Sequence, residues 1–134
     1  MVTKAYQDLS AIIDSAGLCI FFAVRNLAAK DLGVAPVGIL EYLNAATGAD
    51  YTLEELMQAG ERIINAERLF LTKAGFARKD DSLPERLTKT PAPTGPAKGL
   101  VCHLDEMLDE YYKVRGWTEN GIPTKEVLNR LGLS

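Results

Sequence analysis

The chain has 134 residues, 47% hydrophobic and 25% charged, with a formal net charge of −3. That length suits one domain with one core, and acids and bases are mixed along it, leaving no basic stripe for nucleic acid. The longest strictly apolar run, Leu18 to Val24, is too short to cross a bilayer.

The N-terminus, MVTKAYQDLS, lacks the apolar centre of a signal peptide, so the expected compartment is the cytoplasm. Two cysteines, Cys19 and Cys102, make no disulfide scaffold; in a reducing compartment they read as free thiols or metal ligands.

Helical periodicity runs through the chain and predicts an all-α fold, an irregular bundle of about six helices. Tyr6, Leu9, Ile12 and Ile13 share one face of a first helix, and Gly17 offers a left-handed cap after it. A second helix is predicted from about Cys19 to Lys30, with Ile20, Val24, Leu27 and Ala28 inward. Gly33 and Pro36 break it, and Pro36 suits the first turn of a third helix that carries Ile39, Leu40 and Leu43 and stops at Gly48.

The fourth helix has the clearest start. Thr52 and Glu55 form the T-x-x-E capping box, and Leu53, Leu56, Met57, Gly60, Ile63, Ile64 and Phe70 repeat at helical spacing up to Gly75. A glycine inside a helix costs about 1 kcal/mol against alanine, so Gly60 implies a neighbour packed closely against it. In RKDDSLPERL, Asp81 or Ser82 can cap a short turn begun by Pro84. Residues 88–99, TKTPAPTGPAKG, read as a Pro-rich loop within a single domain spanning 1–134. A further helix is predicted from about Leu100 to Arg115, with Leu104, Met107, Leu108, Tyr111 and Val114 inward. Thr124 caps a last short helix that buries Val127, Leu128 and Leu131.

The stretch D-S-A-G-L-C, residues 14–19, raises a chemical question. Gly17 lets the chain reverse, and the amide N–H groups of Leu18 and Cys19 open a new helix without intrahelical partners. A cysteine at such a position is disposed toward the thiolate that ligates iron. An ionised Asp14 accepts two parallel N–H bonds from an amidine-like edge, such as a pterin or purine ring carries. On these residues alone a second reading stands: Asp14 caps local backbone, and Cys19 fills space as a small hydrophobe.

Beyond that stretch, LNAATGADYTLEELMQAGERIINAER, RKDDSLPERL, DEYYKVRGWTENGIPT and LNRLGLS follow in order. With DSAGLC, these blocks resemble the C-terminal domain of the aldehyde ferredoxin oxidoreductase family, enzymes built on a tungsten (or molybdenum) bis-pterin and a [4Fe–4S] cluster. The resemblance covers nearly the whole chain. It implies that Asp14 binds the pterin ring, that the backbone around Leu18 and Cys19 also contacts it, and that Cys19 is one ligand of the cluster.

The resemblance further implies a parent enzyme that oxidises aldehydes to carboxylic acids and passes electrons to ferredoxin. The other three cluster cysteines, the first pterin motif and the acid–base residues of the family belong to segments this chain lacks. The expectation is therefore an excised piece, inactive and cofactor-free alone, whose partners are the remaining domains of the parent. No catalytic residue is assigned here. The choice between tungsten and molybdenum stays open. So does the substrate: aliphatic aldehydes, formaldehyde, glyceraldehyde phosphate, or an aromatic ring in a ring-reducing relative. A second function class also stands, a stand-alone helical interaction module that kept the fold without the cofactor.

Other residues get structural readings. His103, the sole histidine, reads as a surface or capping residue. Glu61, Arg62, Glu67 and Arg68 suit intrahelical ion pairs, or contact with another domain. Lys79, Asp80 and Asp81 read as a cap and a surface bridge, and Tyr111, Tyr112 and Trp117 as core. Arg115 is placed to reach Asp109 or Glu110. Exposure of Leu18, Ile20 and Phe22 would favour a homo-oligomer.

Overall fold

The computed structural model describes residues 2–25, 28–30, 33–35 and 37–134, with side chains at those positions other than 22, 24, 25, 28–30, 33–35 and 37. Among them the chain forms α1 (Val2–Ser15), α2 (Ile20–Arg25), a two-stranded ribbon of β1 (Ala28–Lys30) and β2 (Gly33–Ala35), α3 (Val37–Thr47) and α4 (Leu53–Lys73). A short 3-10 turn (Arg78–Asp80) then leads to α5 (Glu85–Thr88), α6 (Leu104–Arg115) and α7 (Lys125–Leu131). The helical architecture is the one the periodicity predicts. Among the described residues no helix is long and apolar enough to cross a membrane.

The second helix is shorter than predicted. It ends at Arg25, and Ala28, Ala29 and Lys30 pair antiparallel with Ala35, Val34 and Gly33. Good helix formers there supply only a weak preference, and strand pairing overrides it. Leu27 and Pro36 lie outside the described residues, as do the side chains of Val24 and Ala28.

The main core is built where α1 meets α2, α3 and α4. Leu9, Ile12 and Ile13 from α1 pack with Ala23, Ile39 and Leu56, and Leu18, Leu40, Leu43 and Met57 close its edge. Tyr6 is exposed instead, one residue off the buried stripe. The position that replaces it inward is Asp8, a carboxylate.

Gly60 explains how closely α1 and α4 approach. A β-carbon there would stand 2.2 Å from the carbonyl oxygen of Asp8 and 2.8 Å from its carbonyl carbon. The T-x-x-E box starts α4 as predicted: Thr52 Oγ1 accepts from the Glu55 amide at 3.2 Å, and Glu55 Oε2 accepts from the Thr52 amide at 2.8 Å. At the other end Phe70 is 72% exposed, so it is not part of the buried stripe.

A chain of charges, buried at Asp8, Glu61 and Arg115, links four helices. Arg115, at the end of α6, does not reach Asp109 or Glu110. Its Nη1 donates to Asp8 Oδ1 at 2.5 Å, with side-chain exposures of 0% and 2%. Its Nη2 donates to Gln7 Oε1 at 2.8 Å and its Nε to the Tyr111 hydroxyl at 2.9 Å. Lys4 Nζ contacts Asp8 at 2.8 Å and Glu61 at 3.4 Å. Glu61 in turn accepts two bonds, each 3.0 Å, from Arg130 on α7. Glu61 of GERIINAER thus pairs outside α4 and not within it.

The same holds for Arg68. Its two terminal nitrogens donate to Asp81 at 2.8 and 2.6 Å, and its Nε donates to the Gly121 carbonyl at 2.7 Å. The guanidinium lies 5.0 Å from the Trp117 ring centre, a cation–π arrangement. Trp117 Nε1 donates to buried Asn65 at 2.7 Å, and Tyr112 donates to Asp81. Burial first, then that bond, pushes the Tyr112 hydroxyl up to about 12. Asp80 caps the 3-10 turn through the Ala77 amide at 2.9 Å, and the bridge from Asp81 runs to buried Arg68 and not across the surface. Neither Asp81 nor Ser82 caps α5, where Pro84 takes the N-cap position without a side-chain bond.

The face of α6 differs from the predicted one. Tyr112 and Arg115 are buried, whereas Met107 and Val114 are half-exposed. Arg115 turns inward because Asp8 waits for it, and that rotates the helix away from the stripe a purely apolar pattern suggests. The helix also starts later than predicted, at Leu104. On α7 Val127 and Leu131 are buried and Thr124 caps as expected, at 3.4 Å from the Val127 amide.

Two stability predictions follow from this arrangement. Gly60→Ala gains about 1 kcal/mol of helix propensity, but the β-carbon meets unyielding backbone. The expected net result is a loss of about 1–3 kcal/mol, measured by urea unfolding. Asp8→Ala leaves a buried guanidinium without its anion and is expected to cost about 3–5 kcal/mol.

The Glu61 pair generates a pH prediction. Its hydrogen bonds from Arg130 hold the Glu61 carboxyl below its ordinary 4.5, with burial opposing and Lys4 assisting. A folded value below the unfolded one means the pair stabilises fully above that pH and is lost as pH falls through the folded value. Melting temperature should therefore drop below about pH 4.5, and Glu61→Gln should flatten that part of the profile.

Candidate functional site

Asp14 sits in the last turn of α1, one position beyond the buried run that ends at Ile13. The helix ends because Gly17 takes a φ of +68°, a left-handed conformation that an L side chain resists. Two hydrogen bonds close the turn. The Gly17 amide donates to the Asp14 carbonyl at 3.1 Å, and the Leu18 amide donates to the Ile13 carbonyl at 3.0 Å. This is the Schellman arrangement, and it comes with its usual apolar contact, since Leu18 packs against the core that holds Ile13.

One sequence expectation changes here. The Leu18 amide is not free for a ligand, because Ile13 takes it. Cys19 comes next, just before α2, and its carbonyl accepts from the Ala23 amide at 2.9 Å.

The three residues are thus divided by the turn. Leu18 is the anchor, half-buried in the core, while Asp14 and Cys19 flank it with exposed side chains. Among the described residues neither the Asp14 carboxylate nor the Cys19 thiol takes a partner within the chain. A carboxylate with both oxygens available can accept two N–H bonds, and an exposed sulfur can be reached by an ion. Next to them Ile20 is partly exposed and Phe21 is 83% exposed, which leaves an apolar surface beside the thiol. The Phe22 side chain lies outside the described residues.

The donor set bears on what such a turn can hold. A [4Fe–4S] cluster takes four ligands, and the sequence contains two cysteines. Cys19 suits one position of a shared cluster, and Asp14 suits a ring edge with two donors; neither residue is committed elsewhere. His103 precedes α6 with an exposed side chain that forms no cap. Tyr112 and Trp117 are buried and Tyr111 half-buried, consistent with core.

A helical domain that presents a carboxylate and a thiol on either side of a rigid turn is the class this geometry defines. Comparison with known proteins makes it specific. Residues 1–133 match the family model described as aldehyde ferredoxin oxidoreductase, domains 2 & 3. The chain belongs to the aldehyde ferredoxin oxidoreductase family.

It is 48% identical over 130 residues to a tungsten-containing aldehyde ferredoxin oxidoreductase of Pyrococcus furiosus, an alignment covering 96% of this chain and 20% of that protein. It is 47% identical over 130 residues to the tungsten-containing aldehyde ferredoxin oxidoreductase of Thermococcus kodakarensis, with the same coverage. Among solved structures it is similar to the active site complex BamBC of benzoyl coenzyme A reductase, with a TM-score of 0.57 and 31% identity over 72% of this chain and 14% of that one. The chain spans about a fifth of the length of the curated relatives it matches.

The exposure of the two thiols differs, and that is measurable. Cys19 is exposed and Cys102 only partly so. A thiol-reactive chromogenic disulfide should modify two sulfurs in two phases, and Cys19→Ser should remove the fast one.

Proposed function

We propose that residues 1–134 form the C-terminal helical domain of a cytoplasmic aldehyde:ferredoxin oxidoreductase, in which the Gly17 turn is one of the places where the enzyme holds its cofactors. Asp14 accepts two N–H bonds from the pterin ring edge, the backbone around Leu18 and Cys19 lies against the ring, and Cys19 gives one thiolate to a [4Fe–4S] cluster. In this reading the tungsten-pterin supplies the oxidation of an aldehyde to a carboxylic acid, and the cluster relays electrons to ferredoxin; both are the cofactors' own chemistry.

The chain's part is to bind and orient. Asp14 fixes the ring in its plane, because two parallel hydrogen bonds define a direction as well as an energy. Cys19 gives up its proton to become a ligand. Leu18 keeps the two apart by holding the turn in the core. The remaining cluster ligands and the substrate pocket come from the other domains of the parent, against which Ile20 and Phe21 pack.

The observation that carries this reading is the pair of uncommitted side chains, Asp14 and Cys19, on either side of a self-closed turn in a chain of this family. The test uses the whole enzyme that contains this sequence. Asp14→Asn is expected to lower pterin content while iron is retained, and Cys19→Ala to lower iron and the visible absorption of thiolate-bound iron. Unchanged iron in Cys19→Ala and unchanged pterin in Asp14→Asn would overturn the proposal in favour of a helical interaction module. The 134-residue chain purified alone is expected to bind no stoichiometric iron; a brown, iron-loaded preparation would equally overturn the shared-cluster reading.

A further inference from the structure

A second apolar surface shares no residue with the Gly17 turn. Residues of α1, α4, α6 and the turn at 80–83 enclose an open groove of about 610 Å³. Ile64, Leu71, Leu83, Leu104, Met107 and Leu108 line its walls. None of the six is buried: Leu71 is 37% exposed, Leu83 39% and Met107 50%, and the other three are half-buried. Contiguous apolar surface of this kind on a folded domain marks a place where something packs.

The polar groups of the groove are already paired. Arg68, its one base among the described residues, gives its three nitrogens to Asp81 and to the Gly121 carbonyl. The Tyr112 hydroxyl donates to Asp81, the Trp117 indole to Asn65, and the Tyr111 hydroxyl to Gln7 at 2.6 Å. Among the described residues no buried side-chain nitrogen or oxygen lacks a partner. A small-molecule site needs placed polar groups to orient its guest, and here they are used internally. What remains is apolar wall and, at the rim, the exposed carboxylate of Glu67.

We propose that this groove seats another part of the same polypeptide, an apolar segment with a lysine or arginine opposite Glu67. The proposal rests on the reading of residues 1–134 as one domain of a longer enzyme, and not on the cofactor roles of Asp14 and Cys19. Length argues for that occupant. The relatives that match 96% of this chain extend four-fifths of their length beyond it. Segments joined to a domain stand beside it at high effective concentration, so its uncovered apolar face is filled from within the chain before a separate molecule competes. Charge sets the flank of the segment. With Arg68 matched by Asp81, the charge that remains on the groove, at Glu67 and Asp80, is negative. A base entering there is complementary to it. The Ile20 and Phe21 surface beside Cys19 is a separate contact, so the parent grips this domain at two places.

The test is photo-methionine incorporated into the whole enzyme that contains this sequence. This analogue carries a diazirine where methionine carries its sulfur; light expels dinitrogen, and the carbene inserts into a neighbouring bond. The expected product joins position 107 to an apolar peptide from outside residues 1–134, with a lysine or arginine within a helical turn of the joint. It keeps the mass of one polypeptide on a denaturing gel. A doubled mass would assign the groove to a second copy. Reaction only with water, or only within residues 1–134, would leave the groove uncovered, and a joined segment without a base would break the charge match. Each of these results would overturn the proposal. It also fails separately from the cofactor reading: an uncovered groove with iron lost in Cys19→Ala removes this inference alone, and a joined segment with iron unchanged removes the other.

Discussion

The fold hangs on the contact between Asp8 and Arg115. An ion of either sign with so little exposure is costly unless paired, and here each is the other's partner. Their meeting brings the last turn of α6 against the middle of α1. Gly60 does the same from the other side, letting α4 press on the carbonyl of that same Asp8. One residue of α1 is thus gripped from two directions, by charge and by steric fit. The relay through Lys4, Glu61 and Arg130 extends the grip to α7. A buried pair of this kind contributes little net stability against an apolar core; what it imposes is register. A helix held by apolar contacts alone can slide or rotate by small amounts, but one whose carboxylate must meet a guanidinium cannot.

That register matters because of what α1 carries at its end. Asp14 lies on the same helix, six residues beyond Asp8, and the Gly17 turn follows directly. The position of the turn is therefore set by interactions well away from it. The apolar cluster of Leu9, Ile12 and Ile13 supplies the bulk of the adhesion, and Leu18 returns to that cluster after the turn. The chain's family membership and its uncommitted carboxylate and thiol point the same way: the helical scaffold serves to present a short loop.

Much of this was readable from residues, and the reasons for the rest are physical. The capping box at Thr52, the glycine stops at Gly17, Gly48 and Gly75, and the close approach implied by Gly60 are local signals, and the structure has them. Long-range ion pairing is not local. Arg115 and Asp8 are separated by 107 positions, and nothing in LDEMLDEYYKVR indicates that its arginine faces inward. Apolar periodicity therefore put Met107 and Val114 in the core, and left out Arg115, which is buried there. The ribbon of residues 28–30 and 33–35 escaped because Ala28, Ala29 and Lys30 are individually content in a helix. The free Leu18 amide was an inference from helix starts that overlooked how the preceding helix ends. Asp14 and Cys19 stood out as chemistry from their residue types, yet their assignment came from resemblance across five blocks. The geometry adds that both are available.

The Gly17 turn closes on itself. Its amides are satisfied by Ile13 and Asp14 carbonyls, and its anchor is a leucine already in the core. Its shape consequently does not wait for anything to dock. In the proposed function, a guest arriving there meets a finished receptacle, so little ordering entropy is charged against its binding.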